Sequence, residues 1–252
     1  MITERIRVFK SHTDEYTHAF ETFLKHTNQK TKAKERLKHI VGALPSRKLF
    51  IDAGAGNGQV TAWFTGDFER TIALEPNETL RKELEGACPK AKILSGTIME
   101  TNISERGDFV LASHVMYYID ADKWMENLER LASWLSPEGV LTVLIQNHET
   151  DCMKMLRHFF HRSFDLRQLA EEFEKKNGSK YRVQMETVPA HILSPRFESA
   201  YTIAEFMMNL LPITDAPTKQ DLEKYVNLNF ADGNGGFRFS CDQDFLTVQP
   251  RL

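Results

Sequence analysis

The chain has 252 residues, 41% of them apolar and 27% charged. That is enough to bury about 70–75% of the unfolded surface without a disulfide or metal staple. Its 32 Lys and Arg face 35 Asp and Glu, a net charge of −3, which argues against a protein built to grip nucleic acid.

Cys88, Cys152 and Cys241 lie far apart and form no C-x-x-C pair, so free thiols in a reducing compartment are expected. The first residues are charged and lack an apolar h-region. No apolar run approaches the ~18 residues of a membrane span. These features predict a cytoplasmic protein, a monomer or weak dimer, with no membrane or nucleic-acid partner.

In chain order, residues 12–26 have a helical stripe of Tyr16, Ala19, Phe20, Phe23 and Leu24, with Asp14 as a cap. A second helix is expected over 31–41. Lys25, Lys30, Lys32, Lys34, Arg36 and Lys38 make this region basic and read as a solvated face. From residue 48 short apolar runs alternate with helical segments. Strands are expected at 48–52, 71–74, 91–94, 108–112 and 140–145. Helices are expected from 58–64, at 77–87 with Asn77 as N-cap, and at 121–135, with a turn at 137–139. Such alternation implies βαβ units and a parallel sheet. Beyond Gln146 the pattern predicts helices at 152–160, 165–176, 202–211 and 218–228, the last two starting at Thr202 and Thr218. It also predicts a strand at 181–188 and one more within 237–248. Phe206-Met207-Met208 reads as core of this insert, or as a lid over an apolar substrate.

The sharpest motif is Asp52-Ala53-Gly54-Ala55-Gly56-Asn57-Gly58. It follows a strand and opens an expected helix, so its glycines suit a tight turn and close approach to a ligand, with a helix N-terminus facing an anion. The spacing is G-x-G-x-G, and Val60 stands where the dinucleotide fingerprint has its third glycine. Glu75 ends the second strand, where an acid can accept both hydroxyls of a ribose. Loop and acid together leave dinucleotides and S-adenosylmethionine as cofactor classes. The corresponding functions are a methyltransferase, an NAD(P)-dependent oxidoreductase, or a non-catalytic nucleotide-binding module. His158 and His161 share a helical face, but no carboxylate or cysteine completes a metal site, and none is expected.

The stretch from Phe50 to Gly58 resembles motif I of the class I S-adenosylmethionine-dependent methyltransferases. Glu75-Pro76, Ser95-Gly96-Thr97-Ile98, the fourth-strand run Asp108–His114 and Leu135-Ser136-Pro137-Glu138-Gly139 resemble that family's later segments. The resemblance implies a Rossmann-like α/β fold: a seven-stranded, mainly parallel sheet with helices on both faces. Residues 1–45 would form a helical substrate-covering arm, 46–146 the cofactor-binding core, and 147–252 a helical insert and the closing strands of one domain. It implies S-adenosylmethionine as cofactor, contacted by Asp52, Gly54, Gly56, Gly58, Glu75, Pro76, Thr97, Ile98 and Ser113.

A narrower resemblance, in Ser11–Tyr16, Phe20 and Val115-Met116-Tyr117-Tyr118-Ile119, is to histamine N-methyltransferases. It implies transfer to a nitrogen of a small molecule, an amine or imidazole. Tyr16, Phe20, Gln29, Tyr117 and Cys241 would contact the substrate. Gln29 stands where that family has a glutamate, His114 where it has a glutamine, and Cys241 or its neighbour Ser240 where it has an asparagine. Losing the glutamate removes the partner of a cationic amine. His114 and Tyr118 are the catalytic candidates. His114 has an unperturbed pKa of ~6.5, in range to take a proton from the acceptor, or it is a hydrogen-bonded histidine lining the loop.

Overall fold

The structure, a computed structural model, describes residues 4–9, 13–210, 213 and 215–251. The strands are β1 (Leu49–Ala53), β2 (Arg70–Leu74), β3 (Lys92–Leu94), β4 (Gly107–Ser113), β5 (Leu135–Gln146), β6 (Tyr181–Val188), β7 (His191–Ser194), β8 (Phe237–Ser240) and β9 (Gln243–Pro250). The helices are α1 (Asp14–His26), α2 (Gln29–Gly42), α3 (Glu78–Ala87), α4 (Trp124–Ala132), α5 (Asp151–Phe160), α6 (Leu166–Asn177), α7 (Phe197–Met208) and α8 (Lys219–Asn229).

Seven strands form one sheet in the order β3-β2-β1-β4-β5-β9-β6, as expected of a Rossmann-like fold. The pairs β3–β2, β2–β1, β1–β4 and β4–β5 are parallel. Every residue of β1 is buried, and β4 is buried up to Ser113. Continuous apolar runs therefore mark central strands covered on both faces. Phe50 and Phe109 stack at 5.4 Å, with Phe64 and Phe68 against them, as an aromatic floor under the start of the sheet.

The chain divides into two compact units. One comprises residues up to 33, 146–164 and 187–243; the other comprises 34–145, 165–186 and those from 244 onward. These boundaries cut through α2 rather than falling after residue 45. They also assign α6 and most of β6 and β9 to the unit that holds the parallel strands. In the first unit, α7 packs against α1, α5 and α8, and β7 and β8 form a separate antiparallel pair. Arg7 donates through Nε and Nη2 to the buried Glu205 carboxylate (2.8 and 2.5 Å), fastening the segment 4–9 to α7.

Several expectations are corrected. Thr13, not Asp14, caps α1, accepting from the Tyr16 N–H at 3.2 Å. Residues 58–64 form only a one-turn 3-10 segment, Thr61–Trp63. Gly58 has φ +84° and Gly66 follows closely, which leaves too short a run to propagate an α-helix. β5 begins at Leu135, which pairs with Gly107, and its ladder resumes where Val140 pairs with Phe109. The Pro137-Glu138-Gly139 run expected as a turn before the strand is instead an irregularity within it, at this shift of register. Helix α7 starts five residues before Thr202, whose hydroxyl donates to the Glu198 carbonyl inside the helix (2.8 Å) rather than capping it. The expected end at Leu211 lies outside the described residues. The 237–248 segment holds two strands in two different sheets, not one.

Asp108 ties the lower edge of the sheet together. Its Oδ2 accepts from the Lys48 N–H at 2.6 Å and the Leu49 N–H at 3.3 Å, and its Oδ1 accepts from the Ser136 hydroxyl at 3.0 Å. Asp108→Ala would remove the acceptor of the buried Leu49 N–H and of the partly buried Lys48 N–H and Ser136 hydroxyl bonds. It should destabilise the protein by about 2–3 kcal/mol in urea unfolding, with an unchanged m value.

Candidate cofactor site

The carboxyl ends of β1 to β4 converge on one edge of the sheet. Chain order reverses direction between β1 and β4, the position where open α/β sheets bind ligands. The glycine loop follows β1, Glu75 follows β2, Thr97 follows β3, and Ser113 and His114 end β4. The structure thus brings together the nine cofactor residues read from the sequence and the two catalytic candidates, all within the second unit.

The loop is shaped by backbone hydrogen bonds and by φ angles that disfavour side chains. Gly54 and Ala55 both donate their N–H groups to the Leu74 carbonyl (2.9 and 2.8 Å). Gly54 has φ +80°, and a Cβ there would lie 2.3 Å from Val115 Cγ2. Gly58 has φ +84°, and a Cβ would lie 2.8 Å from Leu84 Cδ1. Gly56 differs: its φ is +56°, and a Cβ would meet nothing within 4 Å. The close approach at Gly56 is therefore open, leaving room for a ligand beside exposed backbone.

Glu75 is buried and closes the loop from below. Its Oε2 accepts from the Gly56 N–H and its Oε1 from the Asn77 N–H, both at 2.8 Å. Each oxygen keeps a lone pair for a further donor, the acceptor chemistry a ribose diol requires. Asn77 caps α3 by accepting from Thr79 and Leu80, as expected, and so fixes the peptide that Glu75 holds. Arg81 donates to the carbonyls of Glu75 and Pro76 (2.9 and 2.6 Å), which fixes that turn from the other side. Because residues 58–64 do not form an α-helix, anion attraction by a helix N-terminus does not apply here. The loop's own N–H groups and Glu75 define the site instead.

Asp52 lies under the loop, almost fully buried, and accepts from the Thr61 hydroxyl at 2.6 Å. Burial raises its pKa to about 7; the Thr61 hydrogen bond opposes the shift and the charge of Glu75 adds to it. After β3, the Thr97 hydroxyl donates to Glu100 (2.8 Å) and accepts from the Glu100 N–H (3.3 Å), a reciprocal turn that buries Ile98. Ser113 is half-buried at the end of β4, paired with Leu144.

His114 follows with φ +59°, an uncommon backbone for a non-glycine residue. Its N–H donates to the Leu144 carbonyl (2.8 Å), which holds that conformation. The imidazole stacks on Tyr117 with centroids 5.8 Å apart. Tyr117 is buried, whereas Tyr118 is 70% exposed.

The remaining substrate candidates lie in the first unit. Tyr16 stacks on Phe20 at 6.2 Å, and both rings meet Phe206 at 5.8 and 5.7 Å. Phe206, read from the sequence as insert core or a substrate lid, is buried and completes this aromatic wall. The Gln29 side-chain amide donates to the Cys241 carbonyl at 3.0 Å, and Thr27 Oγ1 contacts Cys241 Sγ at 3.5 Å. The Cys241 thiol is fully enclosed, and burial pushes its pKa up to about 12. Lys30, grouped in the sequence with a solvated basic face, is half-buried with Nζ 5.3 Å from the Phe20 centroid.

A family model described as a methyltransferase domain matches residues 24–192. The chain belongs to this methyltransferase family. Membership decides between the two cofactor classes in favour of S-adenosylmethionine, and the open glycine loop with its buried acid fits that group. An uncharacterized methyltransferase of Alkaliphilus oremlandii (strain OhILAs) is 21% identical over 132 residues, 52% of this chain and 56% of that protein. The match thus spans little more than half the length of that curated relative. Among solved structures, the YcgJ protein of Bacillus subtilis is similar with TM-score 0.60 and 12% identity, over 86% of this chain and 98% of that one. The plantazolicin methyltransferase BpumL, solved with S-adenosylhomocysteine (SAH), is similar with TM-score 0.58 and 12% identity, over 94% and 88%. These likenesses are of fold. Among the described residues, no helix is long and apolar enough to cross a membrane.

The Asp52 pKa generates a pH prediction. Its ordinary value is 3.8 and its folded value about 7. Between those values the folded chain holds a proton that the unfolded chain has released, so stability falls as pH rises through that window. Asp52→Asn should flatten this part of the curve and make the ligand-free protein more stable than wild type at pH 8, by about 2–4 kcal/mol. Thermal unfolding from pH 4 to pH 8 measures it. Parallel pH curves for the two proteins would contradict the assignment.

Proposed function

We propose that the protein transfers a methyl group from S-adenosylmethionine to a nitrogen of a small molecule. The observation that carries this reading is the buried Glu75 carboxylate gripping Gly56 beneath an open glycine loop, in a chain of the methyltransferase family. When bound, the cofactor supplies an electrophilic methyl group on a positively charged sulfur.

Glu75 would hold the ribose, and Gly54, Gly56 and Gly58 would let the ligand approach the backbone. Asp52 would support the loop from beneath, with Pro76, Thr97, Ile98 and Ser113 completing the cofactor surround. The chain's main catalytic task is then orientation, holding the acceptor nitrogen in line at near-attack distance. His114 would accept the proton that an amine or imidazole N–H gives up on methylation. Its fixed backbone and its stack on Tyr117 support that role by limiting where the imidazole can point. Tyr118 would stand at the entrance, in keeping with its exposure. Tyr16, Phe20 and Phe206 would offer ring faces to a planar acceptor; Gln29 and Cys241 of the same unit, and Tyr117 beside His114, are the other candidate substrate residues. The resemblance to histamine N-methyltransferases supports a nitrogen acceptor, while Gln29 in place of a glutamate speaks against a cationic amine.

Two measurements test these assignments. Glu75→Ala should weaken SAH binding by about 1–3 kcal/mol in calorimetry, from lost charged hydrogen bonds. Unchanged affinity in the folded variant would remove Glu75 from the site. His114→Ala should lower methyl transfer about 100-fold or more while SAH affinity stays near wild type. An unaltered rate would leave His114 a structural residue.

A further inference from the structure

Glu75 is held at each of its polar atoms. Its N–H donates to the Leu94 carbonyl at the end of β3 (3.0 Å). Its carboxylate accepts from the Gly56 and Asn77 N–H groups, and its own carbonyl accepts from Arg81. Leu94, Gly56 and Asn77 contribute backbone groups, which no substitution removes. Arg81 contributes a side chain, so this part of the hold depends on which residue stands there.

Arg81 is the fourth residue of α3, and its guanidinium reaches back past the start of the helix. Helical side chains lean toward the N-terminus, which gives it that reach. A single nitrogen, Nη1, donates to the Glu75 carbonyl at 2.9 Å and to the Pro76 carbonyl at 2.6 Å. Two successive carbonyls on one donor must point the same way, which fixes the peptide between them. The proline ring fixes the φ of Pro76 as well. The next residue is Asn77, whose N–H meets Glu75 Oε1 at 2.8 Å and whose side chain caps α3. The turn thus closes on itself, and its backbone sets where the carboxylate points.

Helix stability does not account for a cation at this place. The first turn of a helix favours acids, and Glu78 supplies one. The Arg81 side chain is half-buried at the disfavoured end, with Nη1 on two neutral carbonyls.

We propose that Arg81 is a positioning residue for the cofactor ribose, and that it acts through Glu75 by fixing the turn from which the carboxylate projects. The proposal rests on Glu75 as the ribose acid in the reading above. A carboxylate that accepts from two neighbouring hydroxyls must present its oxygens in a fixed plane. Such geometry holds only when a supporting shell locks the group that makes the contact. Arg81 supplies that support without touching the ligand.

The test uses calorimetry on the full chain with two probes, SAH and its 2′,3′-dideoxy analogue. Adenine and the homocysteine chain are common to both, so the ratio of the two affinities isolates the diol. Wild type should favour SAH about tenfold or more. Arg81→Met keeps an unbranched stem without the guanidinium and should cut that ratio about fivefold. Arg81→Lys keeps a charged donor and should retain more of the ratio than Arg81→Met. Glu75→Ala should bring the ratio near one, and Arg81→Met added to it should change it no further. A ratio unaltered by Arg81→Met, even with both affinities reduced, would overturn the proposal and leave Arg81 a general support of the fold. A preference that persists in Glu75→Ala until Arg81→Met removes it would mean that Arg81 reaches the hydroxyls itself, which also overturns it. Equal binding of the probes by wild type, or a ratio that neither Glu75→Ala nor the double variant lowers, would count against Glu75 as the ribose acid, and the role of Arg81 would fall with it. Should Arg81→Met not fold, Arg81→Gln serves in its place.

Discussion

A buried carboxylate held by backbone rather than by a basic side chain is a demanding arrangement, and Glu75 is one. The Gly56 and Asn77 N–H groups occupy one oxygen each, so the charge is stabilised by fixed dipoles from the two segments it joins. Much of the local architecture serves this contact. Gly54 must lack a side chain for Val115 to close over the loop, and the Leu74 carbonyl must accept two N–H groups to turn the chain back. Asn77 must cap α3 so that its own N–H points at the acid. The parallel pairing of β1 and β2 sets all of this at one edge of the sheet.

The same concentration of acid explains Asp52. A second carboxyl beneath the loop, buried and within the field of Glu75, is held as a partly protonated group near neutral pH. Its Thr61 partner keeps it hydrogen-bonded in either state. The second unit therefore presents backbone N–H groups and carboxylates, a chemistry for sugar hydroxyls and cationic sulfur.

Elements whose signals are local and chemical are legible in the sequence. Asn77 and Thr218 cap the helices they are expected to cap, because a short polar side chain before an amphipathic run satisfies free N–H groups. The central strands are readable because burial on both faces leaves apolar runs with no polar interruption. Three features are not. Helix α7 begins at Phe197 among residues with no capping signal, since Arg196 caps nothing with its side chain. β7 and β8 are four residues each, too short for alternation to stand out. Lys30 reads in the sequence as one of six basic residues on a solvated face, whereas the fold lays it over Phe20, as it lays Lys34 over Trp63, contacts that only tertiary packing creates. The glycine loop is readable as a loop, but the helix expected to follow it depends on Gly58 taking a helical φ, which it does not.

The central claim is that Glu75 and the open face at Gly56 form the nucleoside end of a cofactor site. A crystal structure of the wild-type protein with SAH tests it most directly. The account predicts the ribose hydroxyls within hydrogen-bond distance of the Glu75 carboxylate, with the ligand passing beside Gly56. A ligand bound elsewhere, or Glu75 left bonded only to its two backbone N–H groups, would contradict it.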